Sequence, residues 1–151
     1  MGAIFNVFPL ILIPVIIYNI WAFSTAGSGD SAEVAARILM HLQNQEQPFL
    51  QMTMASGAHW VMTFGDVMVL LSILLLFIEL LKSTSTGTAA IFNHALSMLV
   101  FIICLVEFLL HPAFATSVFF IIMIMSLLDV LAGVVVTIIS ARRDVEFAGQ
   151  H

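Results

Sequence analysis

Apolar positions gather into four long runs, separated by one extended polar stretch and two short polar breaks. The runs cover residues 3–23, 59–81, 89–110 and 116–140. A helix of ~20 residues at ~1.5 Å rise crosses the ~30 Å hydrocarbon layer of a bilayer. Each run is therefore predicted to be a spanning helix. The breaks at Ser83–Thr88 and His111–Ala115 are short enough to force antiparallel neighbours. The first run reads as a span and not a signal sequence, because it is longer than an h-region and no basic stretch opens it. Pro9 and Pro14 inside it are expected to bend the helix and to press it against neighbours that re-satisfy the freed backbone groups.

The polar stretch, residues 24–57, opens on a Ser-Thr-Ala-Gly-Ser-Gly turn and closes on Ala-Ser-Gly. Within it Ser31–Asn44 carries a helical signature: Asp30 or Ser31 as cap, Glu33 on the positive end of the dipole, and Val34, Ile38, Leu39 and Leu42 on one face. The pattern thus predicts an all-α integral membrane protein, with residues 1–151 in a single membrane domain. It is an antiparallel four-transmembrane-helix bundle with a short amphipathic surface helix in the first connection.

Composition sharpens this picture. Hydrophobic residues make up 62% and charged residues 9% of the chain, with mean hydropathy +1.14, far from the ~45–50% and ~25% of soluble domains. A net charge of -5 without a basic run excludes a nucleic-acid partner. Cys104 is the single cysteine, which excludes an internal disulfide and a cysteine-based zinc site. Nucleophile elbows and phosphate-binding glycine loops are missing too, so the chain is expected to be non-enzymatic. Lys82, Arg142 and Arg143 fall at one end of the runs, and Asp30, Glu33 and Glu46 at the other. The positive-inside rule then puts both termini in the cytoplasm of a cell (inner) membrane, with Tyr18, Trp21 and Trp60 near the outer interface.

Ionisable residues inside apolar runs carry the functional question, since a charge at the bilayer centre costs at least ~2.5–3.5 kcal/mol. Counting helix rise, His94 and Asp129 reach one inner depth as an intramembrane polar pair, either a proton or ion relay or a hydrogen bond that merely orders the bundle. An outer cluster joins Asn19, His59, Asp66, Glu107 and His111, with His59, Thr63 and Asp66 on one helical face. His59, Asp66, Glu107 and His111 are chemically sufficient for a divalent metal, and His41 adds a further donor. The alternative is that they are solvated interface groups. His59 and His111 also match, less well, the demands of a bis-histidine haem. Glu79 reads as a snorkelling surface partner of Lys82, although Gly65, Ser72 and Glu79 at seven-residue spacing would also mark a helix contact.

With the lipid bilayer as surroundings, the function expected is that of a small membrane subunit or accessory protein, working by self-association or beside other membrane subunits. The alternatives are a proton- or cation-coupled carrier or channel, and a haem- or metal-binding redox subunit.

Overall fold

The structure is a computed structural model that describes residues 7–82 and 88–148. Positions 3–6 of the first apolar run and 83–87 of the first short break lie outside the described residues. The chain is mostly helical: α1 (Leu12–Ala26), α2 (Ser31–Leu42), α3 (Phe64–Lys82), α4 (Thr88–Leu110) and α5 (Ser117–Ala148), with a 3-10 turn at Pro112–Phe114. Between α2 and α3 stand two short strands, β1 (Leu50–Thr53) and β2 (His59–Met62).

Among the described residues, three helical stretches are long and apolar enough to cross a membrane: Phe64–Lys82, Ala90–Leu110 and Ser117–Ile139. The first apolar run gives a shorter helix than expected, 15 residues from Leu12, or about 22 Å at standard rise. The prolines explain its start. Leu12 N–H bonds Pro9 C=O at 3.1 Å and Ile13 N–H bonds Leu10 C=O at 3.0 Å, a tight turn that comes before the helix proper. Pro14 then falls in the first helical turn, where an N–H has no intrahelical acceptor to lose. Pro9 thus falls in a break between Val7, itself helical, and the helix that starts at Leu12.

Within this mostly helical fold the first connection also carries a short hairpin, which the polar pattern did not announce. β1 and β2 pair antiparallel, with Leu50 opposite Met62, Met52 opposite Trp60 and Thr53 opposite His59. Their turn closes through Met54 N–H to Ala58 C=O at 2.8 Å, with Gly57 at φ 85°, a left-handed value that glycine adopts at no steric cost. Consequently α3 begins at Phe64, not His59. Thr63 and Asp66 form its reciprocal cap: Asp66 Oδ2 accepts from Thr63 N–H at 2.8 Å, and Thr63 Oγ1 accepts from Asp66 N–H at 3.4 Å.

Buried stripes at helical spacing hold α3, α4 and α5 together: Gly65, Met68, Ser72, Leu76 and Glu79 on α3, Asn93, Ser97, Val100 and Cys104 on α4, and Phe119, Ile122, Ser126 and Asp129 on α5. Gly65 marks a close approach, since a Cβ there would sit 2.9 Å from Val118 Cγ2 and 3.2 Å from Leu42 C=O. At this end α2 lies against α1 and the 3-10 turn, burying Val34, Ile38 and Leu42. Asp30 Oδ1 caps it by accepting from Glu33 N–H at 2.9 Å, and Arg37 donates to Ala26 C=O at the end of α1.

Tyr18 locks α1 to the same end. Its hydroxyl lies 2.7 Å from Thr116 Oγ1 and 3.3 Å from Ala113 C=O, and its fully buried ring packs against Trp21, Phe114 and Phe119. Thr116 in turn accepts from Phe119 N–H at 3.1 Å, capping α5. Tyr18→Phe keeps the ring and strips its hydrogen bonds, so denaturation in detergent is expected to show a loss of about 1–3 kcal/mol. Unaltered stability would mean that ring packing alone fixes α1 there.

Candidate functional site

The polar side chains buried between the helices centre on Glu79, near the C-terminal end of α3. The pairing with Lys82 is present, at Nζ–Oε2 2.8 Å. The surface position expected for it is not, because Glu79 is 0% exposed. The seven-residue spacing from Gly65 through Ser72 turns this carboxylate into the seam between helices. Glu79 Oε2 also accepts from Leu10 N–H at 2.8 Å, and Oε1 accepts from Asn93 Nδ2 at 2.6 Å. Lys82 Nζ adds a bond to Phe8 C=O at 2.7 Å. One carboxylate thus gathers the approach to α1, the end of α3 and the start of α4. The N–H of Leu10, which no helix accommodates, finds its acceptor on another element, as a buried backbone donor must.

Beside this group, Asp129 of α5 is 1% exposed, and its Oδ2 accepts from Ser97 Oγ at 2.6 Å. Among the described residues its Oδ1 has no hydrogen-bond partner, nor do Asn93 Oδ1 and either ring nitrogen of His94, all of them buried. The two residues of the expected inner pair thus line one α4–α5 seam without a hydrogen bond between them. Ser97 holds Asp129, while one turn away the His94 ring rests on Gly133, where a Cβ would collide with it. Glu79, His94 and Lys82 all lie within electrostatic reach of Asp129. Asn93 is the member that sequence reasoning missed, and Glu79 the one it expected chiefly at the surface. The glycine-serine-glutamate spacing pointed at Glu79, but nothing in the pattern distinguished Asn93 from its neighbour His94.

Of the second group expected, Asn19, Glu107 and His111 stay near one another, while His59 and Asp66 are engaged in hairpin and cap contacts. Asn19 Nδ2 donates to Glu107 Oε2 at 3.2 Å and to Val15 C=O at 3.1 Å, joining α1 to α4. His111 Nδ1 accepts from Ala113 N–H at 3.2 Å as the cap of the 3-10 turn, with its ring edge-on to Phe23 and Phe114. His59 stands exposed on β2, 3.2 Å from Thr53 Oγ1 across the hairpin. Asp66 is engaged in capping α3. The shared face of His59, Thr63 and Asp66 does not exist, because a strand precedes Thr63 where the helical count assumed a helix. Among the described residues no three His, Cys, Asp or Glu side chains group to hold a metal ion. An open groove lined by Leu42, Thr63, Asp66, Val69 and Val118 lies at this end, about 20 Å from Glu79 by helix rise.

Comparison with protein-family models, curated proteins and solved structures finds no match.

Two substitutions separate the layers. Glu79→Ala leaves Leu10 N–H, the Asn93 amide and the Lys82 ammonium short of an acceptor, and is expected to cost about 3–5 kcal/mol in a detergent melt. Asp66→Ala removes half of a helix cap, for a loss of about 0.5–2 kcal/mol. Equal losses for the two would contradict the central place given to Glu79.

Proposed function

We propose that this chain is a non-enzymatic integral membrane protein, a small helical subunit or accessory that works as a homo-oligomer or inside a larger membrane complex. In this reading α1 and the three longer helices form the four-helix membrane bundle. Lys82, Arg142 and Arg143 mark the cytoplasmic side of the cell (inner) membrane, and α2 caps the outer end. The supporting observation is how the buried polar groups are used. Glu79 bonds to two other segments besides Lys82 of its own helix and Asn19 and Tyr18 tie α1 in place, whereas the groove at the outer end includes none of Glu79, Asn93, His94 or Asp129 in its lining. Such chemistry holds helices together and leaves the outward faces of α3 and α4 apolar, with Ile73, Phe77, Phe92, Leu99 and Ile103 exposed. Those faces suit lipid or neighbouring spans. Mass measurement after extraction into nanodiscs is the test, with a discrete oligomer or a stoichiometric complex expected. A particle holding one copy and nothing else would overturn the subunit reading.

A proton- or cation-coupled carrier or channel is the second reading. It is favoured by Asp129 Oδ1 and the two His94 nitrogens, which are buried without partners, since an intramembrane ionisable group left unsatisfied argues for a working role. A proton or small cation at Asp129 would supply the missing contact. In proteoliposomes Asp129→Asn, a near-isosteric change, is expected to abolish proton or cation flux in this reading. Flux identical to the parent chain would remove it.

A further inference from the structure

We propose that the β1–β2 hairpin is a membrane-interface anchor, whose occupied face lies against the headgroup and upper acyl region of the lipid bilayer. The inference rests on the membrane reading above and adds to it a second mode of lipid contact, outside the spanning helices.

Cross-strand partners in an antiparallel pair share a face, and successive residues alternate between faces. The register therefore sorts the hairpin cleanly. Leu50, Met52, Trp60 and Met62 fall on one side, and Gln51, Thr53, His59 and Val61 on the other. The second side has its own polar contact, Thr53 Oγ1 to His59 at 3.2 Å. The first is apolar and uncovered: Leu50 is 44%, Met52 47% and Trp60 42% exposed. A two-stranded hairpin has little stability alone in water, so a persistent amphipathic one calls for something against its apolar side.

Three observations choose lipid over protein or water. Only Thr63 separates β2 from α3, which holds the hairpin at the level where that apolar helix enters the membrane. Between Glu46 and Asp66 the chain contains no Asp, Glu, Lys or Arg, so nothing resists partial immersion. Trp60, an apolar body with one N–H, belongs to the residue types that collect at the membrane–water boundary. The hairpin thus presents the chemistry of an interfacial amphipathic helix with a period of two in place of 3.6.

The chain has two tryptophans, and Trp21 packs against Tyr18 and Phe64. Trp21→Phe therefore leaves Trp60 as the single indole while keeping a ring in that position. Reconstituted in phosphatidylcholine vesicles, this variant is expected to show blue-shifted emission that loses most of its intensity to lipids brominated high in the acyl chain and little to aqueous iodide. Adding Met52→Asp is expected to reverse both responses by drawing the hairpin into water. Iodide quenching without bromolipid quenching in the Trp21→Phe chain would overturn the proposal. Insensitivity to both quenchers would overturn it too, by showing that a second copy or another protein covers the face. Release of the whole chain by alkaline carbonate would instead sink the membrane reading itself.

Discussion

A carboxylate placed in an apolar seam must be met by donors, and Glu79 meets three. This constraint organises one end of the bundle. Because Oε2 takes the N–H of Leu10, the segment before α1 is fixed to α3, so the tight turn that delays α1 ends on a satisfied donor. Because Oε1 takes the amide of Asn93, α4 is set in register with α3, and the Asn93–Ser97 spacing then carries Ser97 to Asp129 on α5. Exchanging a buried ion pair for well-packed apolar groups is often neutral or even stabilising. The worth of this network therefore lies in register: apolar stripes alone tolerate sliding by a turn, and directed hydrogen bonds do not.

The opposite end reaches order by other means. There the bonds are mainly caps: Thr63 with Asp66, Asp30 with Glu33, His111 with Ala113, and Thr116 with Phe119. Each satisfies backbone donors that a helix start leaves open. Tyr18 and Arg37 extend the same logic between elements, one bridging α1 to the start of α5 and the other covering the carbonyl end of α1. Of the residues expected to form a metal site, Asp66 and His111 serve as caps, Glu107 takes the Asn19 amide, and His59 faces Thr53 across the hairpin.

What could be read from the sequence follows from the range of the interactions concerned. Spans α3, α4 and α5 declare themselves through composition summed over many residues, and α2 through its cap and its Val34–Ile38–Leu42 face. The hairpin was hidden because Phe49–Met62 is short, and its alternation begins only after Gln47-Pro48, in a stretch that reads equally well as a loop. Missing it moved the start of α3, and a helical face was then counted through His59 where a strand stands. Thr-x-x-Asp at Thr63–Asp66 was the local sign that could have prevented this. The start of α1 was legible in Pro9, yet the acceptor for Leu10 lies 69 residues away, and no local pattern reveals a partner at that separation. Depth counting put His94 and Asp129 on the same seam but could not resolve which neighbour, Ser97 or His94, would take the carboxylate.

These two ends differ in what they leave unfinished. At the end where α3 starts most polar side chains serve as caps or bridges, and what is left uncovered is the apolar side of a neutral hairpin. In the inner seam the apolar surfaces close well, and what remains unmet is polar: Asp129 Oδ1, Asn93 Oδ1 and the His94 ring. An apolar face without cover is completed by lipid at no specific cost, since burial there is non-directional. A buried acceptor has no such recourse; it needs a proton, a water or an ion at a definite position. The first deficit is met by the bilayer itself. The second is positional, fixed by where Ser97, Asp129 and His94 stand on α4 and α5.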